Sequence, residues 1–155
     1  MDASSQTFIE QMGLTSERHG MPRIAGRLLG FLLLDGGAHS LDDLAERLQV
    51  SKASVSTNAR VLENLQLIER QTVPGDRRDF YRIGDNPGEH MFELARQRLE
   101  ETRRLFDTTR HTLPEEMEEA RARVTAWSSF YAFLLDDLDR KVERWRDQQR
   151  DQPSA

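Results

Sequence analysis

Ser40-Leu41-Asp42-Asp43-Leu44-Ala45-Glu46-Arg47-Leu48-Gln49-Val50-Ser51-Lys52-Ala53-Ser54-Val55-Ser56-Thr57-Asn58-Ala59-Arg60-Val61-Leu62-Glu63-Asn64 is the stretch that decides the fold. Ser40 is a good N-cap. Leu41, Leu44, Ala45 and Leu48 follow at i, i+3, i+4 and i+7, the spacing of an amphipathic helix. Gln49-Val50 leaves a very short connection before Ser51, which caps a second helix reaching about Asn64 or Leu65. At about 100° per residue, Val55, Ala59 and Leu62 fall on one side of that helix. Ala53, Ser54, Ser56, Thr57, Arg60, Val61 and Asn64 fall on the other. One side is core; the outer side is small and polar with one arginine.

The pattern then changes. Leu67 to Val73 reads as a strand, Pro74-Gly75-Asp76-Arg77-Arg78 is turn chemistry, and Asp79 to Ile83 reads as the return strand. Two short helices at a tight connection, followed by a hairpin, make a winged helix-turn-helix, whose second helix offers its outer face to a major groove. Ser54, Ser56 and Thr57 are short enough to let the helix backbone approach bases. Arg60 can reach a guanine edge or a phosphate, with Asn64 one turn further on. Ser51 and the free N–H groups of the first turn can hold a phosphate, and Lys52 flanks that position. Arg77 and Arg78 lie where a wing would meet the minor groove or the backbone. The competing reading is a winged helix that binds another protein and no DNA.

Upstream, Phe8, Ile9 and Met12 suggest a short helix over Thr7 to Ser16. Gly20-Met21-Pro22 interrupts it, and Pro22 suits the first turn of a second helix running to Leu34. Asp35-Gly36-Gly37 stops that helix. Gly26 and Gly30 are four apart and share a face, which predicts a second backbone packed close there. Downstream of the break Gly84-Asp85-Asn86-Pro87-Gly88, one helix is expected over about Glu89 to Thr112. Pro114 is expected to open a longer one carrying Met117, Ala120, Val124, Trp127, Tyr131, Leu134, Leu138, Val142 and Trp145 at a heptad-like seam. At roughly 1.5 Å per residue this helix is too long for so small a chain to cover alone, which predicts pairing with a second copy. Phe130 to Leu135 is apolar throughout and is expected to be covered on all sides.

Composition narrows the classes. The chain has 155 residues, 37% hydrophobic and 32% charged, with a net charge of −5. The apolar share is low for a globule and suits amphipathic helices with a subunit interface. Residues 51–83 nevertheless hold 6 basic groups against 4 acidic ones, and the location of charge matters more than its total. There is no cysteine, hence no thiol nucleophile and no Cys-based zinc site. His19, His39, His90 and His111 offer no metal-ligand pair, and Glu89, His90 and Glu93 fit a solvated face better than a metal. No Walker-type loop and no motif-supported serine nucleophile occurs, so the chain reads as no enzyme, with no metal and no catalytic residue. The N-terminus lacks a signal peptide, and the apolar run Leu28 to Leu34 is far short of the ~20 residues that span a bilayer. A cytoplasmic location and no membrane partner follow as expectations.

At Leu44-Ala45-Glu46-Arg47-Leu48, Val50-Ser51-Lys52-Ala53-Ser54-Val55-Ser56, Leu62, Leu65 and Ile68-Glu69-Arg70, the sequence resembles the winged-helix core of MarR-type bacterial transcription regulators. Gly75-Asp76-Arg77-Arg78 matches that family's D-x-R wing signature. The resemblance implies that Arg78 is the wing arginine that contacts DNA and Asp76 its orienting partner. Gly20-Met21-Pro22-Arg23 through Gly26-Arg27, with Tyr81 closing the hairpin, is more like the GbsR branch. That similarity suggests choline or glycine betaine as an effector, since aromatic cages hold quaternary ammonium groups. Trp127, Phe130, Tyr131 and Phe133 are the rings available. Aromatics at helical spacing usually pack, and a dimer core is the favoured reading. Gln66 departs from the family, which usually has a glycine closing the helix there.

The resulting expectation is a mainly α chain with a small β-wing. Residues 1–19 would be an N-terminal helix of the dimer platform, 20–85 the DNA-binding winged helix-turn-helix, 86–150 a helical dimerisation region, and 151–155 a frayed tail. It would act as a homodimeric regulator, most often a repressor in this family, on a pseudo-palindromic operator.

Overall fold

In the computed structural model, which describes residues 2–151, Asp2 caps the first helix by accepting a hydrogen bond from the Ser5 N–H at 2.7 Å. The cap lets α1 run over Ala3–Arg18, further at both ends than Thr7 to Ser16. Pro22 stands at the N-cap of α2 (Arg23–Asp35), and Gly36, at φ 71, ends it in the left-handed region. The backbone that Gly26 and Gly30 admit is α1. A Cβ on Gly26 would lie 2.6 Å from the Met12 carbonyl oxygen and 2.3 Å from Ser16 Oγ, and one on Gly30 would lie 3.0 Å from Met12 Cβ. Residues 1–19, expected to serve the dimer platform, thus pack along α2 in a compact unit that extends to His90.

A two-residue strand, β1 (His39–Ser40), follows, where the sequence pattern gives no sign of one. Ser40 also caps α3 (Leu41–Leu48) in a reciprocal box with Asp43. The Asp43 N–H donates to Ser40 Oγ at 3.2 Å, and the Ser40 hydroxyl donates back to the Asp43 carboxylate at 2.7 Å. Gln49, at φ 54, turns the chain left-handed. Ser51 then caps α4 (Lys52–Asn64), accepting from the Ser54 N–H. Gln66, at φ 55, adopts the backbone that a helix-closing glycine would take. β2 (Ile68–Thr72) and β3 (Asp79–Ile83) pair antiparallel with Arg70 opposite Tyr81, and β1 adds to the other side of β3, giving the order β1-β3-β2.

The core of this unit draws on every layer: Ile9 from α1; Leu28, Phe31 and Leu32 from α2; Leu44 and Leu48 from α3; Val55, Ala59 and Leu62 from α4; Ile68 and Tyr81 from the sheet. Arg27 ties α2 to its neighbours. It pairs with Glu10 at 2.6 Å and donates to the Leu48 carbonyl at 2.9 Å, at the turn between α3 and α4.

The second unit begins at Met91 and holds most of α5 (Pro87–Thr112) and all of α6 (Glu118–Asp151). Pro114 does not open α6. Its carbonyl accepts from the Met117 N–H at 3.1 Å, closing a turn, so the helix starts four residues later. Glu118 and Glu119 alone complement its N-terminal dipole. The helices are joined by Ser128 donating to Asp107 at 2.6 Å, Arg96 pairing with Asp139 at 3.0 Å and Arg121 donating to the Leu113 carbonyl. The stretch Phe130 to Leu135 is not covered on all sides within one chain. Leu135 is buried, but Phe130 and Phe133 are 48% and 64% exposed, because α5 shields only one side of α6. Of the expected tail 151–155, Asp151 closes α6 and the rest lies outside the described residues. No helix among them is long and apolar enough to cross a membrane.

Candidate nucleic-acid interface

The outer side of α4 stands as the periodicity predicts. Lys52, Ala53, Thr57, Arg60 and Asn64 are exposed, Ser54, Ser56 and Val61 half-buried, and Val55, Ala59 and Leu62 buried. Asn58 is buried as well, and its Nδ2 donates to the Ser54 carbonyl at 2.8 Å. It lies three residues after Val55, so the same periodicity would have placed it inward. Thr57 donates its hydroxyl back to the Ala53 carbonyl at 3.0 Å, which leaves its methyl as the outward feature. The Ser51 oxygen is committed to the cap, leaving its hydroxyl proton free for a further acceptor.

The four cations of this face fall into two pairs. Lys52 and Arg78 are each held by an acid. Lys52 Nζ lies 2.9 Å from Asp42 of α3. Arg78 is gripped by Asp76: its Nε and Nη2 donate to the carboxylate at 3.0 and 2.7 Å, and its backbone N–H donates at 2.9 Å. The Arg78 hydrogen bonds hold the Asp76 carboxyl down at about 2 and raise the guanidinium above its ordinary value. Arg78 also lies over the Phe80 ring, 5.3 Å from its centroid. Arg60 and Arg77, by contrast, pair with no carboxylate among the described residues.

Two of these contacts are not legible in the sequence. Asp42 sits ten residues from Lys52, across a turn whose geometry fixes their distance. Phe80 beneath Arg78 follows only from the hairpin register. Tyr81 is buried in the core, and burial is the main cause that raises its hydroxyl above the ordinary value.

In the second unit the aromatic group comes together with one addition. Phe106 of α5 stacks on Trp127 and Tyr131, with centroids 6.0 and 5.6 Å apart. Trp127 meets Phe130 edge-on at 5.8 Å. An open hollow of about 280 Å3 is lined by Ala126, Trp127 and Phe130. Phe133 takes no part in the ring contacts and is exposed. The described residues include no cluster of His, Asp and Glu able to hold a metal.

Comparison with known proteins places this geometry among regulators. The profile described as the MarR family matches residues 19–79. The chain is 46% identical over 80 residues to the HTH-type transcriptional regulator MmpR5 of Mycobacterium tuberculosis, across 51% of this chain and 48% of that protein. It therefore spans about half the length of that relative. A solved structure described as a transcriptional regulator is 31% identical, covers 93% of this chain and 99% of its own, and superposes with a TM-score of 0.80. These relatives are regulators rather than enzymes.

Proposed function

We propose that this chain, whose residues 19–79 match the MarR family, is a winged-helix transcriptional regulator of that family: a sequence-specific, double-stranded-DNA-binding repressor that acts as a homodimer on a pseudo-palindromic operator. The observation that carries the reading is the outer side of α4, small and polar, with Arg60 on it and Arg77 at the tip of the wing, neither paired with a carboxylate among the described residues. Ser54, Ser56, Thr57, Arg60 and Asn64 would face base edges in the major groove. Ser51, Lys52 and the α4 N-terminus would hold a phosphate, and Arg77 and Arg78, the latter oriented by Asp76, would take the minor groove or the backbone.

Pairing of two copies is supported by the apolar side chains that one chain leaves open in its second unit: Leu105, Met117, Trp127, Phe130 and Phe133. In the GbsR-like form of this reading, Trp127, Phe130 and Tyr131 either cage a quaternary amine such as choline or glycine betaine, or form the centre of the subunit interface. Their stacking on one another and on Phe106 favours the interface, because a ring face already covered is closed to a cation. A cytoplasmic location goes with the regulatory role.

Selection of bound sequences from a random DNA pool, followed by titration at two salt concentrations, tests the function. A recovered inverted repeat with affinity falling steeply in salt is the expected result. Failure to retain any DNA at low salt would replace this reading with a protein-binding winged helix.

A further inference from the structure

Asp42 lies in the first turn of α3, where its charge suits the helix dipole, and that role does not require its contact with Lys52. The capping box of α3 belongs to Ser40 and Asp43. Asp42 is solvent-exposed, its side chain 56% open, and it reaches across the helix-turn-helix to Lys52 at the first position of α4. Its charge also bears on the wing, since the Arg78 guanidinium feels both Asp43 and Asp42. A carboxylate thus sits against Lys52, one of the cations of a surface read as facing a polyanion.

We propose that Asp42 is an internal competitor for phosphate: it pairs with Lys52 in the free protein and weakens that cation's hold on a DNA phosphate, so it sets the level of DNA affinity independently of base sequence. The proposal rests on the DNA-binding reading above. Physically, the Lys52 ammonium has three N–H donors but a single charge, and the Asp42 carboxylate beside it competes for that charge with a phosphate at the α4 N-terminus and repels the phosphate. The ion pair is exposed, so the effect is modest and fades with salt. Because phosphates are the same in every sequence, the effect falls equally on matched and scrambled sites. Arg60, with no carboxylate partner, is left to read bases, and the two jobs are separated on one helix.

The experiment is a double-mutant cycle in the full chain with Asp42→Asn and Lys52→Gln, titrated on the selected operator and on a scrambled duplex at two salt concentrations. Asp42→Asn is expected to tighten both duplexes by about two- to fivefold at low salt and to steepen the salt dependence by up to about one ion. In the Lys52→Gln background the same change is expected to have little effect. A role of Asp42 limited to the helix dipole would shift the melting temperature and leave DNA affinity unmoved. Unchanged or weakened binding by Asp42→Asn, or an equal gain with and without Lys52, overturns the competitor while leaving the DNA-binding reading intact. Failure of the wild-type chain to bind either duplex overturns both.

Discussion

Asp76 and Arg78, two residues apart at the wing tip, form a closed clasp in which both carboxylate oxygens accept from the guanidinium and one also accepts from the Arg78 backbone N–H. The backbone hydrogen bond fixes the turn, and the side-chain pair fixes where the cation points. Folding depresses the Asp76 carboxyl from 3.8 to about 2. A depressed carboxyl contributes fully above its unfolded value and loses its contribution as pH falls through its folded one. The clasp is therefore intact from neutral pH down past 4 and opens towards pH 2. A carbon-13 titration of the Asp76 side chain should give a midpoint near 2; a midpoint at the ordinary value of about 3.9 would mean the clasp does not form in solution.

Arg60 and Arg78 should fail differently. Arg60→Ala is expected to cost roughly 1–3 kcal/mol on the preferred site and to relax the preference at one base pair in each half-site. Arg78→Ala should weaken many sequences alike and reduce the salt slope by about 1 for each phosphate no longer neutralised, with a larger effect on A·T-rich flanks if the side chain enters a narrow minor groove. Equal affinity of wild type and both variants for every duplex would remove this face from DNA recognition.

Gly26→Ala tests the seating of α1. The added methyl would sit 2.3 Å from Ser16 Oγ and 2.6 Å from the Met12 carbonyl oxygen. The helix must move to make room, at a typical cost of about 1–3 kcal/mol for overpacking, against a gain of roughly 1 kcal/mol in helix propensity. A fall in melting temperature is expected. A rise would show that α1 is not held at this distance.

Replacing Phe130 and Phe133 together with aspartate should convert a dimer into a monomer of unchanged helical content. Light scattering with circular dichroism reads both. A wild-type chain that is already monomeric at micromolar concentration would reject the pairing.

Calorimetry with choline decides the use of the rings. Trp127→Ala should abolish any heat of binding if they cage an amine. If the indole lies in a subunit core, no heat is expected from the wild type, and the substitution should cost about 3–5 kcal/mol of stability.

The parts of the fold legible in the sequence are those that local spacing encodes. Ser40 and Ser51 announce their helices because an N-cap hydroxyl serves a backbone N–H only three residues away. Gly26 and Gly30 announce a close neighbour because only glycine lacks the Cβ that would block it, although nothing in their spacing identifies that neighbour as α1. Pro114 misleads because a proline suits a tight turn as well as it suits a first helical turn, and the Met117 N–H selects the turn. β1 escapes notice because two residues carry no period. The partnerships of Asp42 and Phe106 escape because they are set by the path of the chain between helices. α4 ends at Asn64, where its spacing places the end, even though Gln66 takes up a glycine's backbone without being one.

The strand order β1-β3-β2 has a consequence for solubility. Its middle strand, β3, is protected on both sides, so the strands open to pairing with another molecule are the outer two. One outer strand is only two residues long and turns at once into a helix. The other is five residues long and carries Glu69 and Arg70. Short, charged margins of this kind make poor templates for edge-to-edge aggregation, so the wing can stand in solvent without recruiting strands from its neighbours.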